Sequence, residues 1–340
     1  MHVIYISYNL FVFFSSILDN FNLSTMNRTI ALIDGEIVLV SLSDTLNRQK
    51  QQKSEKKIKT PQQRARQWKS NNKKHQFNEE LRRQLPPFVY KKPYEITFIN
   101  AMTMFFALVR LRELAHHTTY FTVDTEIDFD STLPALIQVE FVSSIEEEQE
   151  QTQKKHVIVF EMFHLPSSKS PIYLQIQWLI DVIFHPSKTL LTWGNRREEL
   201  SRFRIYHFFN SIPFQQLDII NVQHKFKNWY NDTYPHDSIC FMFKLHDTRN
   251  DLVCTCAHRP YKQQNHLWAL QRAVANVLEK FMDKSLRLSN WGVGLDIRLI
   301  KSSLTQKEDQ ERLQLITYAV NDCFATTKLA SIMGPFYLFS

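Results

Sequence analysis

The chain has 340 residues, 44% of them hydrophobic and 22% charged, which is enough apolar material for a real core and too long for a minimal domain. Its five glycines, at positions 35, 194, 292, 294 and 334, cannot be assembled into G-x-x-x-x-G-K-[ST] or G-x-G-x-x-G, so the two commonest glycine-dependent nucleotide loops are excluded. Four cysteines do not make a disulfide framework in a chain of this size, and no apolar run reaches the roughly 18–20 residues of a membrane span.

The first 25 residues are apolar from Val3 to Leu18, but Ser, Tyr and Asn interrupt them and no Lys or Arg precedes them. The basic n-region of a secretory signal is missing, so a secretory leader is not expected. Few cysteines and no framework fit a reducing intracellular compartment, nucleus or cytoplasm. The net charge of +7 has one address: Arg48 to Lys92 holds fifteen lysines and arginines against three glutamates, a surplus larger than that of the whole chain. The rest is therefore mildly acidic. This stretch is rich in Gln and Asn and poor in aliphatics, so residues 26–115 are expected to form a basic, largely flexible arm. It reads either as a solvated linker or as a phosphate-attracting or nuclear-address segment, with pairs such as Lys56-Lys57, Lys73-Lys74 and Arg82-Arg83.

Ordered elements are expected from residue 116 to about 335. Tyr120–Asp124, Leu136–Val142 and His156–Phe160 are β-branched and aromatic runs that read as three strands, with an acidic, Gln-rich hairpin loop at Glu146–Gln153. Ile172–Phe184 has apolar residues at helical spacing, Lys188–Thr192 reads as a short buried strand, Arg196–Phe203 as a helix and Leu217–Val222 as another strand. Leu267–Met282 presents one continuous apolar face and is expected to be a long helix; a last helix is expected over Gln310–Ile332. Three consecutive strands suggest an antiparallel meander, and the later β-α-β units suggest parallel strands beside it. The fold class is a mixed-sheet α/β with a C-terminal helical part.

Three places could carry chemistry. Asp124 and Glu126, at the end of the first of these strands, share a face because i and i+2 do so on extended backbone. Two adjacent carboxylates repel unless a positive group joins them, and a divalent cation with oxygen ligands is one answer; a solvated strand end is the other. Tyr318 and Asp322 share one helix face at i and i+4. If that face turns inward and crosses the strand, Asp322 joins the pair; if it turns outward, Asp322 is an ordinary solvated residue. Cys254-Thr-Cys256-Ala-His258 places three metal-capable side chains close together, but it lacks the C-x₂₋₄-C spacing of zinc modules and would need a fourth ligand such as Cys240 or His246, so it reads as a buried strand.

The order of these segments resembles the DEDD superfamily of 3′-5′ exonucleases, in the tyrosine-containing branch that includes ribonuclease D and the Werner-syndrome exonuclease domain. Val123-Asp-Thr-Glu126 looks like the first exonuclease motif, and Tyr318-x-x-x-Asp322 within YAVNDCFATTKL looks like the third. LEKFMDKSLRLSNW, residues 278–291, is similar to the leucine-aspartate-lysine-serine … serine-x-tryptophan stretch that precedes the third motif. The resemblance covers about Thr118 to Ile332 and implies a ribonuclease H-like fold, two divalent ions (Mg²⁺ or Mn²⁺) and a nucleic-acid substrate, RNA or DNA, attacked at its 3′ end. It implies that Asp124 bridges both ions, that Glu126 and Asp322 complete the first site, and that Tyr318 orients the attacking water. At the second motif the resemblance puts Asn195 where an aspartate is usual, with Glu198 or Glu199 as substitutes one turn on. Lys284, Arg287, Arg196 and Arg197 lie in the motif regions, either as phosphate contacts or as ordinary surface charge.

Overall fold

A computed structural model describes residues 28–33, 36–41, 60–142, 154–207, 209, 212, 214–240, 254–261, 265–300 and 303–339. The chain divides into two units, Met1–Asn71 and Asn72–Ser340. The expected Glu146–Gln153 loop and the apolar N-terminus lie outside the described residues. In the first unit β1 (Arg28–Ile33) pairs antiparallel with β2 (Glu36–Ser41), two alternating β-branched runs with Asp34-Gly35 between them.

Helix α1 spans Pro61–Gln84. It starts with a reciprocal cap: Thr60 Oγ1 accepts from the Gln63 amide at 3.3 Å, and Gln63 Oε1 accepts from the Thr60 amide at 3.0 Å. Then follow β3 (Tyr94–Ile99), α2 (Phe105–His117), β4 (Tyr120–Ile127), β5 (Pro134–Val142), β6 (Lys155–Glu161), α3 (Pro171–Ile183), β7 (Thr189–Thr192), α4 (Arg196–Ser201), β8 (Asp218–Asn221), α5 (Val222–Thr233), α6 (Leu270–Val277) and α7 (Gln306–Phe339). The basic stretch is therefore not all arm. Tyr94–Ile99 alternates and pairs parallel with β6, and α2 buries Leu108, Leu111 and Ala115 in the core, so the folded body begins well before residue 116. The density of Lys and Arg up to Lys92 hides this strand and helix, whose own sequence is ordinary.

The sheet order is β3-β6-β5-β4-β7-β8. Strand β5 is antiparallel to both β4 and β6, while β7 and β8 are parallel to β4. This is the meander with parallel strands beside it that the element order predicts, and the mixed sheet that a ribonuclease H-like fold implies. Period-two alternation divides the sheet's side chains between two layers. Phe121 and Val123 of β4 pack with α2 and α3 in one cluster. Thr122 faces the other way, where its hydroxyl meets that of Thr327 on α7 at 2.6 Å. Asp124 and Glu126 follow Thr122 on that same α7 side.

Helix α7 begins earlier than the apolar pattern indicates, because Thr305 and Glu308 form a capping box: the Glu308 amide donates to Thr305 Oγ1 at 3.3 Å and the Thr305 amide to Glu308 Oε2 at 2.8 Å. It kinks at Gly334, which has φ 74° and precedes Pro335, and continues to Phe339. By contrast α6 is only Leu270–Val277, shorter than the apolar face suggests. Leu278 caps it and Glu279 takes φ 52°, which turns the chain so that Phe281 bridges to Pro87. The helix of residues 196–203 likewise stops at Ser201 and continues as a 3₁₀ turn over Arg202–Tyr206. Among the described residues no helix is long and apolar enough to cross a membrane.

Candidate metal and nucleic-acid site

The acidic side chains singled out in the sequence converge. Asp124 and Glu126 of β4 and Asp322 of α7 are all buried, and each offers a carboxylate oxygen within 4.8 Å of the others'. The cause is local. Strand alternation sends Asp124 and Glu126 toward α7, and the Thr122–Thr327 contact fixes the helix so that Asp322 faces them. The donors are all carboxylate oxygens, the set that hard divalent cations take, so Mg²⁺ or Mn²⁺ fits these residues.

Burial pushes the Asp322 carboxyl up to about 6; the Lys284 ammonium opposes this, and the Asp124 charge adds to it. Lys284 Nζ lies 2.6 Å from Asp322 Oδ1, also contacts Oδ2, and sits 3.4 Å from the Tyr318 hydroxyl and 4.6 Å from the centre of its ring. Its place in the motif stretch therefore reflects a contact inside the site. Tyr318 is buried, and burial followed by the charges of Asp322, Glu126 and Asp124 pushes its hydroxyl pKa above the ordinary 10, with Arg287 opposing. It stays neutral at physiological pH.

The loop before α7 braces this arrangement. Trp291 is buried with its ring 5.6 Å from that of Tyr318. The Gly292 amide donates to Asp128 Oδ1 at 2.9 Å, tying the loop to the end of β4. A Cβ at Gly292 would meet the Phe163 ring at 2.5 Å, so any larger residue there would have to displace that ring. Glu161, buried at the end of β6, accepts from the Leu295 and Asp296 amides and, at 2.6 Å, from Asn100 Nδ2. Trp291, Asp128 and Glu161 carry no motif of their own. Their role comes from packing, and the serine-x-tryptophan tag at 289–291 is the one sequence signal that points to any of them.

At the second motif Trp193-Gly194 makes the turn from β7 to α4, with Gly194 at φ 105°. Asn195 is exposed at the N-cap of α4, and its side chain makes no capping hydrogen bond. Glu198 is exposed. Glu199 reaches β4: its Oε2 accepts from Thr125 Oγ1, the residue between Asp124 and Glu126 in sequence, at 3.0 Å. Arg287 is exposed, Arg196 opens α4, and Arg197 donates to the Gln215 and Leu217 carbonyls, which makes it a structural clamp.

Beside Tyr318 and Asp322 opens a cleft of about 540 Å³, walled by Phe88, Phe281 and Leu286 and edged by Arg82 and Asn321. Arg82 is held there by Asp283 at 2.7 Å.

The Cys254–His258 segment is not a strand: Cys254, Cys256 and His258 lie in irregular backbone and turn. His258 comes within 4.8 Å of the Cys256 sulfur and, through Nδ1, within 3.7 Å of Asp237 Oδ1, but it is His236 that gathers with Cys240, Cys254 and Cys256 together. His246 lies outside the described residues.

No protein-family model matches the chain, and no curated protein matches it. Solved structures do. The chain is similar to the Nibbler EXO domain of Aedes aegypti, at 14% identity and a TM-score of 0.42, covering 72% of this chain and 92% of that one. It is similar to Trypanosoma brucei RNase D, at 10% identity and a TM-score of 0.41, covering 71% of this chain and 65% of that one. Escherichia coli RNase D, an exoribonuclease involved in structured RNA processing, matches at 15% identity and a TM-score of 0.38; here 71% of this chain spans 44% of that one.

Proposed function

We propose that the chain hydrolyses the terminal phosphodiester at the 3′ end of a nucleic acid, with two divalent cations, Mg²⁺ or Mn²⁺, held by Asp124, Glu126 and Asp322. The observation that carries this is the convergence of three buried carboxylates from β4 and α7 beside a neutral tyrosine. Bound there, such ions supply an activated water and offset the charge on the leaving oxygen. The chain's own side chains do the rest. Tyr318, neutral and backed by Trp291, accepts from or donates to a water and orients it without taking its proton. Lys284, between Asp322 and Tyr318, brings a positive charge to the phosphate. The apolar walls of the adjoining cleft receive the terminal base. Glu199, rather than exposed Asn195, supplies the fourth acidic function from α4. Arg287 and the exposed Lys73 and Lys74 of α1 contact phosphates further along the strand.

The Lys284 ammonium already seated on Asp322 favours a second reading: a protein of the same fold that holds 3′ ends and cuts them poorly. The test uses 5′-labelled RNA and DNA single strands with free or blocked 3′ ends. An RNA of twelve uridines is the first probe, since Trypanosoma brucei RNase D has been crystallised with RNA U12. Stepwise shortening that needs Mg²⁺ or Mn²⁺ and a free 3′ hydroxyl is the expected result. Salt-sensitive binding without products would establish the second reading. Neither binding nor cutting would leave a protein-interaction adaptor.

A further inference from the structure

The described residues hold a second group of metal-capable side chains, chemically unlike the first. His236 and Cys240 follow the end of α5, and Cys254 and Cys256 return to them from the far end of the next segment. The three sulfurs are buried and form a cluster of their own. His236 Nδ1 lies 3.5 Å from Cys240 Sγ, 3.3 Å from Cys254 Sγ and 3.4 Å from Cys256 Sγ. Cys240 Sγ and Cys254 Sγ are 3.8 Å apart, and all four donor atoms lie within 4.8 Å of one another.

These distances decide the chemistry. A disulfide would bring two sulfurs to about 2.05 Å. Four ligands placed tetrahedrally around zinc, at about 2.3 Å for sulfur and about 2.05 Å for nitrogen, stand about 3.8 Å apart sulfur to sulfur and about 3.6 Å apart sulfur to nitrogen. The observed separations are of that size. Three thiolates and an imidazole are also a donor set that selects zinc over the hard cations of the acidic site. The backbone helps: the Asp237 amide donates to Cys256 Sγ at 3.2 Å, opposing the burial that raises that thiol's pKa.

We propose that His236, Cys240, Cys254 and Cys256 form a closed structural zinc site. Four protein ligands leave no position for substrate, so the site has no catalytic part. Its task is visible in the backbone. Among the described residues between Tyr234 and Ala269 there is no helix or strand, so no ladder of hydrogen bonds fixes these residues. The segment docks on α5 through side-chain contacts: Tyr230 donates to the His258 carbonyl at 2.9 Å, and Arg259 donates to Asn231 Oδ1 and the Tyr234 carbonyl. Its far end carries Trp268, whose carbonyl accepts from Trp193 Nε1 at 3.0 Å, at the turn between β7 and α4. The zinc would thus clamp the segment that buttresses the second-motif turn.

The experiment is metal analysis of the full chain, purified without chelator or added metal. About one zinc per chain is expected. It should be released by a mercurial that titrates thiols, and lost in Cys254→Ser and in Cys256→Ser. Cys323→Ala and Asp124→Asn, which leave these four residues intact, should retain it. Because the serine variants can fail to fold, the unmodified chain is also reconstituted with Co²⁺. Thiolate-to-cobalt charge transfer and intense tetrahedral d–d bands are expected. Folded chain without zinc that gives only an octahedral cobalt spectrum overturns the proposal. So does a disulfide among these cysteines, read as two thiols missing from alkylation of the denatured chain. Zinc content is independent of hydrolysis, so this result stands or falls apart from the nuclease reading.

Discussion

The acidic cluster and the thiol–imidazole cluster gather metal-capable side chains of opposite character in opposite ways. Asp124, Glu126 and Asp322 ride on β4 and α7, elements fixed by sheet pairing and by the Thr122–Thr327 contact, and a lysine ammonium already lies against one of them. His236, Cys240, Cys254 and Cys256 sit in irregular backbone that no ladder holds. A scaffold that stands by itself can afford a metal that comes and goes. A segment without one depends on the metal for its shape. The acids should therefore matter to turnover and hardly to folding, and the cysteines to folding and hardly to chemistry.

The largest effect expected from that contrast is Asp124→Ala. Removing a carboxylate that faces both others should lower hydrolysis by about 10³-fold, several kcal/mol of charge stabilisation. The melting temperature should hold or rise, because one member of a repelling set is gone. A clear fall in melting temperature with activity retained would reverse the roles assigned to the two clusters. Next in size is zinc removal. Losing a ligand bound at about 1,000 times its dissociation constant costs about 4 kcal/mol, or roughly 10 °C for a domain of this length. Calorimetry before and after mercurial treatment measures it, and new protease cuts should fall between residues 234 and 269. A shift under about 2 °C would mean that packing alone holds the segment.

The two sites were unequally legible in the sequence. Asp124-x-Glu126 and Tyr318-x-x-x-Asp322 lie on regular elements, so period two and period 3.6 say which way they point, and the order of the motifs supplies the pairing. The sheet's strands from β4 onward were legible for the same reason. The zinc ligands were half visible: Cys254 and Cys256 stand together, but irregular chain has no period, and nothing in the spacing favours His236 over His258 or His246. Strand β3 and helix α2 were hidden by the charge of the preceding stretch. The length of α6 was overestimated because an apolar face continues in sequence after Glu279 has already turned the backbone. Lys284 looked like one basic residue among many, since a contact across 38 positions has no signature in the sequence.

Lys284 gives a smaller, sharper test. If its ammonium competes with a cation for Asp322, Lys284→Met should tighten Mn²⁺ binding by about tenfold, 1.4 kcal/mol, read by calorimetric titration. If it serves the phosphate instead, metal affinity should hold while KM for a 3′ end rises. An unchanged value for both would leave the lysine a structural partner of Tyr318 and remove it from the mechanism.

The smallest effect concerns the second motif. Asn195 is exposed and Glu199 bonds Thr125, so the carboxylate that communicates with β4 comes from one turn further along α4. Glu199→Gln keeps the shape and a hydrogen-bonding oxygen but removes the charge, so a loss of about fivefold at saturating Mg²⁺ is expected, larger at limiting Mg²⁺, about 1 kcal/mol in all. Asn195→Asp, acting from an exposed N-cap, should change the rate less, though it should steady α4 by a few tenths of a kcal/mol, because an anion there faces the positive end of the helix. The pair is diagnostic. A faster Asn195→Asp beside an unaffected Glu199→Gln would place the fourth acidic position at residue 195, making the present chain a weakened nuclease. The opposite pattern shows that α4 has kept the charge and moved it by a turn.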